Sequence, residues 1–215
     1  MSRHIVLCAD AREVDWRALP TADLVFTDPP WKFDQANGKP PPYPGLPVPE
    51  IVDVLFACGG FEDHVGLAVW VTAAHFHELV AELVRRRLPL PITLGAWDKG
   101  ADAYGQGAWW ASRMEFLFRW NGGHADRSRT ASNGVRANRT DHSEKPEAWQ
   151  AQLVARWCPP DGVVLDPFMG LGSVQRAARR EGRSFVGVEL DVKRFTAACT
   201  RALDEGLGPL EVVRE

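Results

Sequence analysis

The stretch Leu24 to Trp31, LVFTDPPW, runs from apolar residues into an acid, two prolines and an indole. Leu24, Val25 and Phe26 read as a buried parallel strand, and Asp28-Pro29-Pro30 ends it at the carboxyl edge of a sheet, where open α/β sheets bind ligands. Two prolines fix φ and remove two N–H donors, so the backbone neither continues a ladder nor starts an ordinary helix, and its carbonyls are expected to face the crevice. Asp28, the Pro29 carbonyl and the face of Trp31 describe a socket for a planar ring with an exocyclic NH2. The oxygens accept the amine hydrogens while the indole stacks on the ring. The competing reading is a strand-ending turn above a core tryptophan.

A second stretch, far downstream, adds a different chemistry. Val163 to Ser173, VVLDPFMGLGS, leads into helical VQRAARREG and then SFVGVELD, the layout of a nucleotide-binding βαβ unit. Gly170 and Gly172 let backbone approach a ligand closely, and Glu189, at the tip of the second strand, is placed to hold both hydroxyls of a ribose. Phosphate hydrolysis would need Gly-Lys-Ser/Thr, and Gly172-Ser173 lacks the lysine. G-x-G-x-x-G is not the pattern either, which leaves S-adenosylmethionine as the ligand class.

The pair DPPW at Asp28 to Trp31 and DPFMGLGS at Asp166 to Ser173 resembles the amino-methyltransferases that methylate exocyclic nitrogens of nucleic-acid bases. CADAREVDW before the first motif, YPGLPVPEI after it, WDKG at Trp97 to Gly100 and HSEKPEAW at His142 to Trp149 are similar to the branch with N6-adenine methyltransferases. The order, catalytic motif first and cofactor motif last, is that of the circularly permuted beta-type members. The resemblance implies an α/β, Rossmann-like class I methyltransferase fold: a mostly parallel seven-stranded sheet, one strand antiparallel, helices on both faces. It implies Asp28, Pro29, Pro30 and Trp31 at the reacting amine, with Asp28 also beside the cofactor. Asp10 would meet the cofactor adenine, Glu189 its ribose and Lys145 its methionine carboxylate. Asp166, Phe168, Gly170, Gly172 and Ser173 would form the wall around it. The implied reaction is methylation of adenine N6 in DNA. N4 of cytosine and adenine in RNA are the alternatives, as is a non-catalytic nucleic-acid-binding partner subunit of the same fold. A homodimer is compatible with the resemblance.

These residues need a scaffold, and the chain of 215 residues is long enough to bury a core as one domain spanning 1–215. Strands are expected at His4 to Cys8, Leu67 to Val71, Ile92 to Ala96 and Glu115 to Trp120, the last of these antiparallel, and helices from about Glu50 to Ala57 and His75 to Arg87. Asp10 fits a helix N-cap as well as a ligand acceptor. Lys39 to Glu50, KPPPYPGLPVPE, reads as a stiff loop beside the socket, a lid whose Tyr43 touches substrate. His75 and His77 lack a third ligand, so they are expected as crevice-edge or solvated side chains, with no metal implied. Asn121 to Thr140 carries Arg127, Arg129, Arg136 and Arg139 against the single acid Asp126, and residues 121–141 read as a short phosphate-contacting, target-recognition insert. A net charge of -3 argues against indiscriminate DNA coating, so DNA contact should come from that local patch. No run is apolar enough to span a bilayer, and Cys8, Cys58, Cys158 and Cys199 are scattered. A cytoplasmic location with buried reduced thiols is expected.

Overall fold

The computed structural model describes residues 2–32, 44–100, 113–120, 122–128, 131–137, 145–206 and 209–214. The strands are β1 (His4–Cys8), β2 (Leu24–Thr27), β3 (Gly66–Val71), β4 (Thr93–Asp98), β5 (Met114–Arg119), β6 (Gly134–Arg136), β7 (Val163–Asp166), β8 (Ser184–Glu189) and β9 (Glu211–Arg214). The helices are α1 (Val48–Ala57), α2 (Phe76–Arg86), α3 (Glu147–Trp157), α4 (Ser173–Arg180) and α5 (Val192–Asp204). One sheet takes every strand, in the order β6-β4-β5-β3-β2-β7-β8-β1-β9. Only the β3–β5 and β4–β5 pairs are antiparallel, so β5 alone runs against the rest. The seven-stranded sheet with one reversed member lies between β4 and β1. Two edge strands, β6 and β9, extend it to nine among the described residues.

β2 and β3 are buried along their whole length, as strands covered on both faces must be. Because side chains alternate across the pleat, successive residues feed two different cores. Ile5, Leu7 and Val25 pack with Ile51 and Leu55 of α1 and Leu79 and Leu83 of α2. Val6, Leu24 and Phe26 pack on the other face with Leu153 of α3, Ala177 of α4 and Phe195 of α5. The sheet is therefore sandwiched, and its ligand edge is left to the loops.

Several elements differ from the sequence reading. α1 begins at Val48, two residues early, because a proline in the first turn sits where its missing N–H has no helical partner anyway. His75 is buried at the start of α2, with its ring hydrogen-bonded to Thr72 Oγ1 at 2.7 Å and to the Lys32 carbonyl at 2.8 Å. It is neither solvated nor at the crevice edge; His77 is exposed. Cys58 and Cys158 are buried, whereas Cys8 and Cys199 are half-buried. No helix among the described residues is long and apolar enough to cross a membrane.

Gly187 shows how tightly the central strands are packed. It stands opposite Val6 on one side and Asp166 on the other. A Cβ there would lie 2.4 Å from the Phe185 ring and 2.7 Å from Met169 Sδ. Gly187→Ala is expected to cost about 1 to 3 kcal/mol through overpacking, read as a lower denaturant midpoint with an unchanged slope.

Candidate active site

Parallel pairing sends the carboxyl ends of β1, β2, β3, β4, β7 and β8 to one edge of the sheet, and β5, reversed, begins there. The connection after β2 runs to β3 on one side, and that after β7 runs to β8 on the other. The crevice between them is a topological switch point. Asp28 follows β2 and Asp166 ends β7. The two strands are tied across this gap by Thr27 Oγ1, which donates to Asp166 Oδ1 at 2.6 Å. A cavity of about 580 Å³ opens at this point, and both Asp28 and Gly170 line it. The two motifs, 142 residues apart in the chain by subtraction of 28 from 170, thus share one enclosure.

Its later-motif end sets an open glycine turn beside a fixed carboxylate. Gly170 holds φ at +56°, and a Cβ there would meet nothing nearer than the Phe168 carbonyl at 4.0 Å, so the glycine leaves open space where a side chain would project. Glu189 accepts the Gly170 N–H at 2.8 Å with one carboxylate oxygen and the Asp191 N–H at 2.8 Å with the other. The carboxylate is thereby fixed with lone pairs to spare, and burial still pushes its pKa up from the ordinary value. Phe168 and Ser173 also line the cavity. Gly172 does not; its left-handed φ of +78° brings α4 close to α5, where a Cβ would meet Ala198 at 3.2 Å. Asp10 lines the cavity, but Arg12 grips its carboxylate, donating from Nη2 at 2.6 Å and from the backbone at 3.0 Å.

The Asp28 end is organised by charge. Lys145, just ahead of α3, is buried, and its ammonium bonds the Asp28 carboxylate and lies 3.1 Å from Glu115 Oε2. Glu115 in turn bonds Lys99. Burial raises the Asp28 pKa against the pull of Lys145, although its side chain keeps a 36% exposed edge on the cavity. Burial acts on Glu115 too, but Lys145 and Lys99 together outweigh it and hold that carboxyl low. Neither proline carbonyl is left unbonded, contrary to the sequence reading. The Trp31 N–H donates to the Pro29 carbonyl at 2.9 Å and the Leu46 N–H to the Pro30 carbonyl at 2.6 Å, leaving each a second lone pair.

Trp31 sits below the cavity rather than in its wall. It is 2% exposed, its indole N–H donates to the Trp70 carbonyl at 3.2 Å, and its ring stacks on His75 with centroids 5.2 Å apart. It braces the turn from underneath. Tyr43, Arg129 and Arg139 lie outside the described residues. Arg127 is exposed, and Arg136 ends β6, 3.6 Å from Asp98. Part of the arginine-rich insert is thus an edge strand pinned to the sheet, with the Trp97 indole donating to the Ala137 carbonyl at 2.8 Å and the Trp149 indole to the Ser132 carbonyl at 3.1 Å.

Three residues of the site escaped sequence reasoning. Glu115 and Lys99 were visible as an acid opening the antiparallel strand and a lysine just past the neighbouring parallel one, but only strand reversal puts both at the ligand edge. Gln150, one position after a core tryptophan, carried no signal at all. It lines the cavity at 1% exposure, and neither its amide nitrogen nor its amide oxygen has a hydrogen-bond partner among the described residues. A buried amide in that state calls for a partner that offers both a donor and an acceptor.

Residues 118–199 match a protein family described as DNA methylase. The type II methyltransferase M.ScaI of Streptomyces caespitosus is 42% identical over 53 residues, 24% of this chain and 17% of its own length. Across the curated relatives it matches first, the chain aligns with only 17% to 33% of their lengths. Among solved structures, M1.HpyAVI in its complex with SAM is 16% identical with a TM-score of 0.68, over 92% of this chain and 99% of that one. The cytosine-N4-specific PvuII DNA methyltransferase is 13% identical with a TM-score of 0.72, over 98% and 96%. The fold is the one these methyltransferases share.

Asp166 offers a direct test of the crevice electrostatics. Burial lifts its pKa from 3.8 to about 7, despite hydrogen bonds from Thr27 and the Phe168 N–H. The folded state therefore binds a proton that the unfolded chain has released, and stability is lost as pH rises from about 4 towards 7. Asp166→Asn keeps an oxygen for both donors and removes the charge. Thermal melts should show the variant gaining on the parent as pH rises from about 4 to 7 and levelling off above that, the total approaching roughly 4 kcal/mol at about 1.4 kcal/mol per unit of pKa.

Proposed function

We propose that this chain is an S-adenosylmethionine-dependent methyltransferase acting on the exocyclic amine of a DNA base, with N6 of adenine the leading target. The observation that carries the reading is the single cavity lined by both Asp28 and the Gly170 turn, an acceptor for an amine and a seat for a nucleoside in one enclosure. The DNA-methylase family match over residues 118–199 supports it.

The residues present fit the cofactor. Glu189 would hold the ribose, the open face of Gly170 would admit the adenosyl group, and Gln150 would answer an α-amino acid, which offers an ammonium donor beside a carboxylate acceptor. When bound, S-adenosylmethionine supplies a methyl group already activated by its sulfonium. Asp28 accepts a hydrogen of the base amine, drawing nitrogen out of conjugation with the ring, and the free lone pair of the Pro29 carbonyl can take the other. Orienting nitrogen against methyl in line is the larger share of the work, worth roughly 7 to 11 kcal/mol in favourable cases. In a duplex the base leaves the stack to reach Asp28. Arg127 and Arg136, with Arg129 and Arg139 of the same insert, neutralise phosphates. Cytosine N4 is the second reading, because the acceptors at Asp28 fit either amine.

Incubation with labelled cofactor and duplex DNA, single-stranded DNA or RNA, followed by nucleoside mass analysis, is expected to return N6-methyladenine from DNA. N4-methylcytosine would select the second reading, and absence of cofactor binding by calorimetry would leave the non-catalytic subunit. Asp28→Ala should abolish transfer while cofactor affinity survives. Gln150→Leu is expected to weaken S-adenosylmethionine by roughly 10-fold or more, the worth of a hydrogen bond to a charged group, while 5′-methylthioadenosine, which lacks the amino-acid end, binds as before.

A further inference from the structure

Lys145 is a buried cation shared by two carboxylates, and the proposed chemistry uses only one of them. Its Nζ bonds Asp28, stands 3.1 Å from Glu115 Oε2, and lies 5.4 Å from the centre of the Trp70 ring. The other oxygen of Glu115 bonds Lys99, whose Nζ lies 5.6 Å from the Trp97 ring. Asp28, Lys145, Glu115 and Lys99 thus alternate in sign along the ligand edge. Both lysines are buried, and the Glu115 side chain is only 18% exposed, so water contributes little to holding these charges.

We infer that Glu115 is a positioning residue for methyl transfer, the second partner that lets Lys145 release Asp28 when the substrate amine arrives. The inference rests on the reading of Asp28 as amine acceptor. In the structure the ammonium takes Oδ2 of Asp28 and so competes with an incoming amine for that carboxylate. The ammonium cannot leave it for an apolar interior, because an unpaired buried cation is strongly disfavoured. Glu115 is already within 3.1 Å, so the ammonium can pass from one carboxylate to the other by a small side-chain shift. Lys99 holds Oε1 of Glu115, leaving Oε2 to Lys145. Sharing also tunes basicity: Glu115 makes Asp28 a stronger acceptor by like-charge repulsion, Lys145 and Lys99 make it a weaker one, and Asp166 is the other acid coupled to it across the β2–β7 gap.

Glu115→Gln removes the charge and keeps the shape. With Asp carboxyl carbons labelled, NMR titration should find Asp28 titrating lower by on the order of one pH unit. Single-turnover transfer should fall roughly 10-fold or more, while S-adenosylmethionine affinity stays within about 2-fold. Lys99→Met should move the Asp28 titration the opposite way, upward, and supplies the sign test if Glu115→Gln fails to fold. An Asp28 titration that stays put or moves against these signs, or an unchanged transfer rate in Glu115→Gln, overturns the inference. Failure of the unaltered chain to bind the cofactor overturns instead the reading on which it rests.

Discussion

The parallel pairing of β2 with β7 is the constraint from which the crevice follows. It is set by Leu24 opposite Val164 and Val25 opposite Leu165, apolar contacts far from any chemistry. Once made, it brings the acids that follow both strands to one edge, where β1 and β8 add Asp10 and Glu189. Carboxylates gathered in a half-dry cleft repel one another and lose hydration, and the fold answers each differently. Asp10 takes a guanidinium, Glu189 takes two backbone N–H groups, Asp28 takes a lysine, and Asp166 takes a hydroxyl and remains easily protonated.

That division of labour separates the two ends of the cavity. Backbone donors, which cannot move without moving the turn, fix Glu189 in one place. Side-chain cations, which can swing, meet Asp28, where the proposed reaction exchanges a bond in each cycle. The aromatic rings around Lys145 and Lys99 give those cations a weakly attractive surface while excluding water, so their exchange partners are other protein groups.

Much of the fold was legible because the sequence carries it in continuous apolar runs. LVFT, LAVWV and VVLD become buried strands where expected, and Asp28 and Asp166, at the ends of the first and the last, lie at the ligand edge. What could not be read was whatever depends on neighbours distant in sequence. Trp31 follows two prolines in a way that suggests a stacking platform, yet His75 and the Trp70 carbonyl draw it into the core. The arginine-rich insert looks uniformly polar, but Gly134 to Arg136 finds the free edge of β4, since any exposed strand edge invites a partner. Glu115 reads as one more polar residue in an alternating strand until reversal of that strand carries it beside Lys145.

The backbone around Leu46 has a further implication. The Lys32 N–H donates to the Leu46 carbonyl and the Leu46 N–H to the Pro30 carbonyl, while Gly45 passes so close to Trp31 and Lys32 that a Cβ would overlap their backbone at 2.5 to 2.6 Å. The chain therefore departs and rejoins at a single clamped stem. That stem is closed by contacts among the backbones of Pro30, Trp31, Lys32, Gly45 and Leu46, so the turn after Asp28 is braced by main chain, whose hold is indifferent to side-chain identity.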